Sequence, residues 1–186
     1  MRAFLGIALP SQVRESLATL QAELSGVGAD VGWVKPEQLH VTLKFLDDIS
    51  EEQRQAIEAI LTRVAEQEAC FSVAIHEPGA FPSVRAPRVL WVSVREGQER
   101  IVRIAHQIEE EARRLSLRRE ERPFAAHITL GRVRSPRHRI ELAQRLQHVS
   151  WQPPPPWHVT ALTLYQSVLS SVESRYRVLA DIPLSK

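Results

Sequence analysis

Histidine and threonine recur two residues apart in two closely similar tetrapeptides, His40-Val41-Thr42-Leu43 and His127-Ile128-Thr129-Leu130. The copies stand 87 positions apart in a chain of 186, one in each half. Apolar residues at the second and fourth positions give the period-two signature of a strand with one buried face. The imidazole and hydroxyl of each copy therefore share the other face. Two such strands set against each other would present two His and two Thr to one cleft. Imidazole titrates at about 6.5 when unperturbed, so one ring can accept a proton while the other gives one. The hydroxyls add donors for a non-bridging oxygen, and preorganised donors stabilise developing charge. A strained five-membered cyclic phosphodiester suits such a site. One His would deprotonate water while the other protonates the departing ribose oxygen.

Other chemistries find less support. A third pair, His158-Val159-Thr160, is followed by Ala161 and emerges from a run of prolines, so it reads as structural. His76, His106, His138 and His148 have no partner at a useful spacing. There is no His-Glu-x-x-His, no paired cysteine and no Asp cluster at metal-ligand spacing. Asp47-Asp48 fits a turn before a helix more simply than a metal site. The seven glycines form neither a phosphate-binding loop nor a dinucleotide fingerprint, and Gly-x-Ser-x-Gly is absent. No metal and no cofactor is expected.

Composition is that of an ordinary globular chain, 44% hydrophobic and 25% charged, long enough for one domain with a real core. No apolar run approaches the roughly 20 residues of a membrane span. The stretch Ala3–Leu9, soon broken by Pro10, reads as a first strand rather than a secretory signal. Cys70 is the lone cysteine, which favours a reducing cytoplasm and a bystander or buried role. The net charge of +2 hides an asymmetry: residues 1–84 carry −6, residues 85–145 carry +7. All but three of the 24 basic residues are arginine, whose planar fork suits phosphate oxygens. Arg113, Arg114, Arg118 and Arg119 have the plainer reading of solvating a helix end.

Strands and helices alternate. Ser11 is read as capping a helix with Val13, Leu17, Leu20 and Leu24 on one stripe, ended by Gly26 and Gly28. Short strands over Trp33-Val34 and His40–Leu46 flank the turn Lys35-Pro36-Glu37. Ser50-Glu51-Glu52-Gln53 is a capping box before a helix that turns Ile57, Ile60, Leu61 and Val64 inward. Strands follow at 71–75 and 89–94, separated by a loop over Pro78–Pro87. A helix is marked by Ile101, Ile104, Ala105, Ile108, Ala112 and Leu115, then come a strand over Ala125–Val133 and a helix over Arg139–Val149. Four prolines between Trp151 and Trp157 make an extended connector. Strands at Val159–Val168 and Tyr176–Ile182 close the chain. This pattern favours an α+β fold over a doubly wound parallel sheet.

Several longer stretches carry a resemblance. They are Arg2-Ala3-Phe4-Leu5-Gly6-Ile7, the run Trp33 to Leu46 around the first motif, Gly79-Ala80-Phe81-Pro82 and Pro87-Arg88-Val89-Leu90-Trp91. Arg122-Pro123-Phe124, His127 to Arg132 and Leu164-Tyr165-Gln166-Ser167 continue the match nearly end to end. On these residues the chain resembles the 2H phosphoesterase superfamily, specifically the LigT-like RNA 2′,3′-cyclic phosphodiesterases. The resemblance implies one bilobal domain over 1–186, with two pseudo-symmetric antiparallel sheets flanked by helices and a central cleft. It implies metal-free hydrolysis of a 2′,3′-cyclic phosphate at an RNA end, tRNA fragments among the candidates, to a 2′-phosphate, reversible as 2′-5′ joining. A monomer is the expected state.

The catalytic positions of the family fall on His40, Thr42, His127 and Thr129. His40 is assigned as proton donor and His127 as acceptor. Phe45 and Arg132, each five residues after its His, would bind substrate, the ring stacking on a base and the guanidinium meeting the phosphate. Strict alternation opposes this, because an i+5 residue lies on the opposite face of a strand; a twist, a bulge or a strand end must intervene. Asp47-Asp48 replaces the Gly-Glu common in the family. Two alternatives stay open: a non-catalytic RNA-end-binding module, and a phosphodiesterase acting on a small cyclic nucleotide.

Overall fold

Apolar spacing accounts for the helices and for the face each one buries. The computed structural model describes residues 1–115, 117–169 and 174–186. In chain order they form β1 (Arg2–Ala8), α1 (Ser11–Ser25), β2 (Val31–Trp33), a 3-10 turn (Pro36–Gln38), β3 (His40–Asp48), α2 (Glu51–Glu66) and β4 (Phe71–Ser83). There follow β5 (Ala86–Glu96), α3 (Gln98–Arg113), β6 (His127–Val133), α4 (Arg139–His148), β7 (Trp157–Val159), β8 (Ala161–Leu169) and β9 (Ser174–Pro183). The stripes expected on α1, α2 and α3 are all buried. Each Leu or Ile among them contributes about 1.5–3 kcal/mol. The capping box is complete: the Gln53 amide donates to Ser50 Oγ at 3.1 Å, and the Ser50 amide donates to Gln53 Oε1 at 2.9 Å.

Four local expectations are corrected. Ser11 is the first helical residue rather than the cap, and Pro10 stands at the cap position, its carbonyl accepting from the Val13 and Arg14 amides. Pro78–Pro87 is no long loop but the tip of the β4–β5 hairpin. Register shifts fall beside Pro78 and Pro82, so neither proline has to donate to a regular ladder. Leu115 follows α3 in a turn. The late strand divides at Thr160 into β7 and β8, which pair with different partners.

Nine strands form one curled sheet in the order β7-β4-β5-β6-β3-β1-β8-β9, with β2 on the free part of the β6 edge. All these ladders are antiparallel. Helices α2 and α3 pack on each other and beneath β3, β8 and β9, while α1 and α4 pair beneath β5. Each half-sheet thus has its own helix pair. Among the described residues the halves pair at one backbone position, Val41 opposite Ile128. The seam is short because β2 already occupies β6 from Gly131 to Val133. The expected α+β fold is present, and its two sheets are one sheet with a one-pair join.

Both motif strands are bulged at equivalent places. Against β1, the partners of Leu5 and Gly6 are Lys44 and Thr42, leaving Leu43 extra. Against β5, the partners of Leu90 and Trp91 are Gly131 and Thr129, leaving Leu130 extra. The Leu130 carbonyl is held by the Val34 amide at 2.9 Å and by Gln21 Nε2 at 2.9 Å. A side chain at Gly131 would meet Val31 Cγ1 at 2.8 Å, so the bulge there needs glycine to admit β2. The equivalent residue on β3 is Lys44, buried and ion-paired to Glu109 on α3 at 2.6 Å, with the Arg118 carbonyl at 2.8 Å.

That pair predicts a measurable coupling. Lys44→Met leaves Glu109 under the sheet without its cation and is expected to cost about 3 kcal/mol in urea unfolding. Adding Glu109→Leu should recover most of the loss. A loss below about 1 kcal/mol for the single variant would contradict the role given to the pair.

Candidate active site

Register decides which side chains share the open face of the sheet. Residues directly opposite in a ladder point the same way, so Phe4, Gly6 and Ala8 share a face with Phe45, Thr42 and His40. Val89, Trp91 and Ser93 likewise share one with Arg132, Thr129 and His127. The seam pair Val41 and Ile128 points into the core, both fully buried, so the residues flanking them turn to the other side together. All six residues singled out by sequence therefore lie on one face. The bulges at Leu43 and Leu130 supply the extra residue that brings Phe45 and Arg132 round to the side of their histidines.

The two histidines are oriented by the same device. His40 Nδ1 lies 2.7 Å from the Gln38 carbonyl and His127 Nδ1 lies 2.7 Å from the Ala125 carbonyl. A carbonyl can only accept, so each Nδ1 carries a proton and each Nε2 is the exchangeable nitrogen. His40 Nε2 sits 2.9 Å from Thr42 Oγ1. Among the described residues, the Thr129 hydroxyl makes no hydrogen bond to protein and is available to a ligand. Gly6, opposite Thr42, passes so close that a Cβ there would stand 2.8 Å from the Val41 carbonyl and 3.3 Å from His40 Cδ2.

Aromatic rings frame the site on both sides. The Phe4 ring lies 4.6 Å from His40 and stacks on Tyr165 at 4.9 Å. Tyr176 meets His40 edge-on at 5.5 Å. Across the seam, Phe81 meets His127 edge-on at 5.3 Å and packs on Trp91 at 5.1 Å. Phe4, Tyr165, Phe81 and Trp91 belong to conspicuous sequence stretches but received no role there, and Tyr176 was missed altogether. The signal that could have found them is register across the strands, which alternation in a single strand does not contain. Phe45 is 57% exposed and stands 6.3 Å from Phe4, so it is no core residue.

Burial holds both imidazoles below the usual value near 6.5. For His40 the Gln38 carbonyl pulls upward and repulsion from His127 adds to the lowering. For His127 the Ala125 carbonyl pulls upward and the Arg132 cation adds to the lowering. Burial also raises the Tyr165 and Tyr176 phenols, and Arg132 is close enough to Tyr176 to oppose that rise. Arg132 thus acts on a group from each half-sheet. With both values below 6.5, the neutral form of each ring prevails at pH 7 beside the exposed Arg132 guanidinium, a combination that favours an anion.

The remaining histidines lie elsewhere. His158 is exposed on β7, at the far edge of the sheet. His76 faces Arg95, His138 faces Glu141 and His148 bonds the Gln144 carbonyl. Cys70 is exposed, not buried. Asp47 is ion-paired to Arg118 at 3.0 Å and Asp48 lies 3.7 Å from the Met1 amino group. Arg113 and Arg114 pair with Glu110 and Glu111, the solvating role expected of them. No group of three or more His, Cys, Asp or Glu among the described residues could hold a metal ion. Nor is any helix long and apolar enough to cross a membrane. A recess of about 180 Å³ opens beside Phe4 and Tyr176, the rings that touch His40, and is lined also by Arg2, Phe45, Asp47 and Ser167. A wider groove of about 560 Å³ between α1 and α4 holds none of the motif residues.

These electrostatics are open to a direct check by NMR titration of the imidazole carbons. Both rings should titrate below 6.5. Arg132→Gln should raise the His127 value by relieving cation repulsion and leave His40 nearly unmoved, whereas His127→Gln should raise His40. Unchanged values in both variants would contradict the arrangement.

Comparison with known proteins accords with this geometry. The family described as LigT like Phosphoesterase matches residues 7–91 and again 92–176, one motif in each stretch. An Archaeoglobus fulgidus protein named RNA 2′,3′-cyclic phosphodiesterase is 36% identical over 170 residues, covering 91% of this chain and 93% of its own. An Aquifex aeolicus protein of the same name is 30% identical over 99% of this chain and 97% of its own. Among solved structures, TT0787 of Thermus thermophilus superposes with a TM-score of 0.82 at 28% identity, covering 99% of this chain and 98% of that one. Escherichia coli LigT in complex with 3′-AMP superposes with a TM-score of 0.79 at 27% identity, covering 100% and 98%. With two matches spanning nearly its whole length and two motif strands folded into one face, this chain belongs to the LigT-like phosphoesterases.

Proposed function

We propose that this protein is an RNA 2′,3′-cyclic phosphodiesterase that opens a terminal cyclic phosphate to a 2′-phosphate by two-histidine acid–base catalysis. The observation that carries the reading is the matched pair of imidazoles on one face, each with Nδ1 on the carbonyl two residues back and Nε2 free to exchange a proton. The names of the relatives give the substrate class.

The step balances on these side chains alone. His127 Nε2 takes a proton from water as the water oxygen bonds to phosphorus, the P–O3′ bond breaks, and His40 Nε2–H gives its proton to O3′. Thr42, Thr129 and Arg132 hold the non-bridging oxygens, and Phe45 stacks on the terminal base. Assigning the base to His127 is supported by its Nε2, which has no protein partner among the described residues, while that of His40 is engaged by Thr42. The bound anion favours the charged form of the donor and so raises the His40 value from its depressed resting level. With a ribose 5′-hydroxyl in place of water, the same step forms a 2′-5′ linkage, and its reverse cleaves that linkage back to the cyclic phosphate. The protein is read as a cytoplasmic monomer acting on free RNA ends.

The test is turnover of an RNA ending in a 2′,3′-cyclic phosphate by EDTA-treated protein, with the product assigned by phosphorus NMR. A 2′-phosphate is expected. His40→Ala and His127→Ala should each lower the rate by about 10²–10⁴ while leaving the circular dichroism spectrum unchanged. Substantial activity in either variant would rule out the mechanism; binding without turnover would leave an RNA-end-binding module. A 3′-phosphate would exclude O3′ as the leaving group.

The pH profile follows from the depressed imidazoles. Since kcat/KM reports the free enzyme, its optimum should lie on the acid side of about 6.5. The alkaline limb of kcat should lie higher than that of kcat/KM, because the bound phosphate raises the donor. Superimposable alkaline limbs, or a kcat/KM optimum above about 7.5, would contradict the acid–base account.

A further inference from the structure

We infer that Arg2 forms a second anion subsite, which binds the phosphodiester on the 5′ side of the terminal nucleoside and makes oligonucleotide ends better substrates than cyclic mononucleotides. This rests on the cyclic phosphodiesterase reading above and extends it to a residue outside the catalytic set.

Arg2 shares the active face, because it stands two residues from Phe4 along β1, and same-face neighbours on a strand are about 6.6 Å apart. It lines the recess that Phe45 and Tyr176 wall and that Ser167 also lines. The recess has room for about six waters. Phe4 and Tyr176 both touch the His40 ring and both line this recess, so it adjoins the imidazole through those two rings. A nucleoside whose cyclic phosphate meets the histidines and whose base lies on Phe45 directs its 5′ oxygen outward, toward Arg2.

The charges around Arg2 leave it available. Its ladder partner is Asp48 and the other nearby acid is Asp47, either of which would ordinarily neutralise it. Asp47 is instead ion-paired to Arg118, and Asp48 lies nearest the Met1 amino group. Among the described residues Arg2 makes no ion pair or side-chain hydrogen bond. Arg2 and Tyr176 line the recess together, and the Arg2 cation opposes the rise that burial causes in the Tyr176 phenol. A guanidinium that pairs with no carboxylate among the described residues, beside an exposed aromatic ring, is the pairing that binds a single-stranded nucleic acid by phosphate contact and base stacking.

The test compares three substrates built on one nucleoside: the 2′,3′-cyclic phosphate, the same compound with a 5′-phosphate, and the dinucleotide ending in that cyclic phosphate. The 5′-phosphate should raise kcat/KM about tenfold, mainly through KM, as expected of one exposed charge-assisted contact. The dinucleotide should gain at least as much. Arg2→Gln should bring the ratio between the first two substrates close to one, and Arg2→Lys should keep part of it. The gain in the unmodified protein should also fall with added salt, a reading that needs no variant. Equal kcat/KM on all three substrates, or a gain that survives Arg2→Gln, would overturn the subsite and leave the enzyme assignment standing. Failure to turn over any of the three would overturn the enzyme assignment and the subsite with it.

Discussion

One backbone pairing, Val41 opposite Ile128, determines where everything else in the site falls. Antiparallel pairing at that position places a local pseudo-two-fold between the two motif strands and turns both flanking His-x-Thr pairs to the same side. Both paired side chains are fully buried, so a slip of one residue would bury an imidazole and expose Val or Ile. The hydrophobic effect thus fixes the register, and the register fixes the side on which both imidazoles stand. Because β2 takes over the β6 edge beyond the seam, the two half-sheets diverge and leave room between their aromatic rings.

The bulges do the second part of the work. A bulge adds one residue to one strand and reverses alternation beyond it. Here it brings Phe45 and Arg132 onto the face of His40 and His127, although each stands an odd number of positions away. Each bulge is held by buried polar contacts: Gln21 on the Leu130 carbonyl in one half, Lys44 with Glu109 in the other. The two halves therefore share a geometry while using different side chains to hold it. The two rings are alike at Nδ1 and differ in charge environment: Arg132 accompanies His127, whereas His40 lies among Phe4, Tyr165 and Tyr176.

The meeting of the two His-x-Thr pairs on one face was legible in the sequence because the His-x-Thr-Leu pattern states a strand face. The helices were legible because Ile57, Ile60, Leu61 and Val64, and their counterparts on α1 and α3, recur at helical spacing. The bulges were not, since Leu43 and Leu130 look like ordinary inward residues until the neighbouring strand is known. Nor were Tyr176 and Arg2, whose places depend on register accumulated across β3, β1, β8 and β9. The basic second half pointed to an anionic partner, yet Arg100 and Arg103 serve the buried Glu68 and Arg118 serves Asp47. Composition cannot distinguish an arginine spent on a carboxylate from one left open to a ligand.

The central claim is that the two histidines act as one acid–base unit assembled at the seam. Its most direct test is the single-turnover rate on an RNA with a 2′,3′-cyclic phosphate end for the unmodified protein, His40→Ala, His127→Ala and the double variant. Groups that act together lose most of their contribution when either is removed, so the double variant should be scarcely slower than the slower single one. Losses that multiply, each histidine contributing independently of the other, would contradict it.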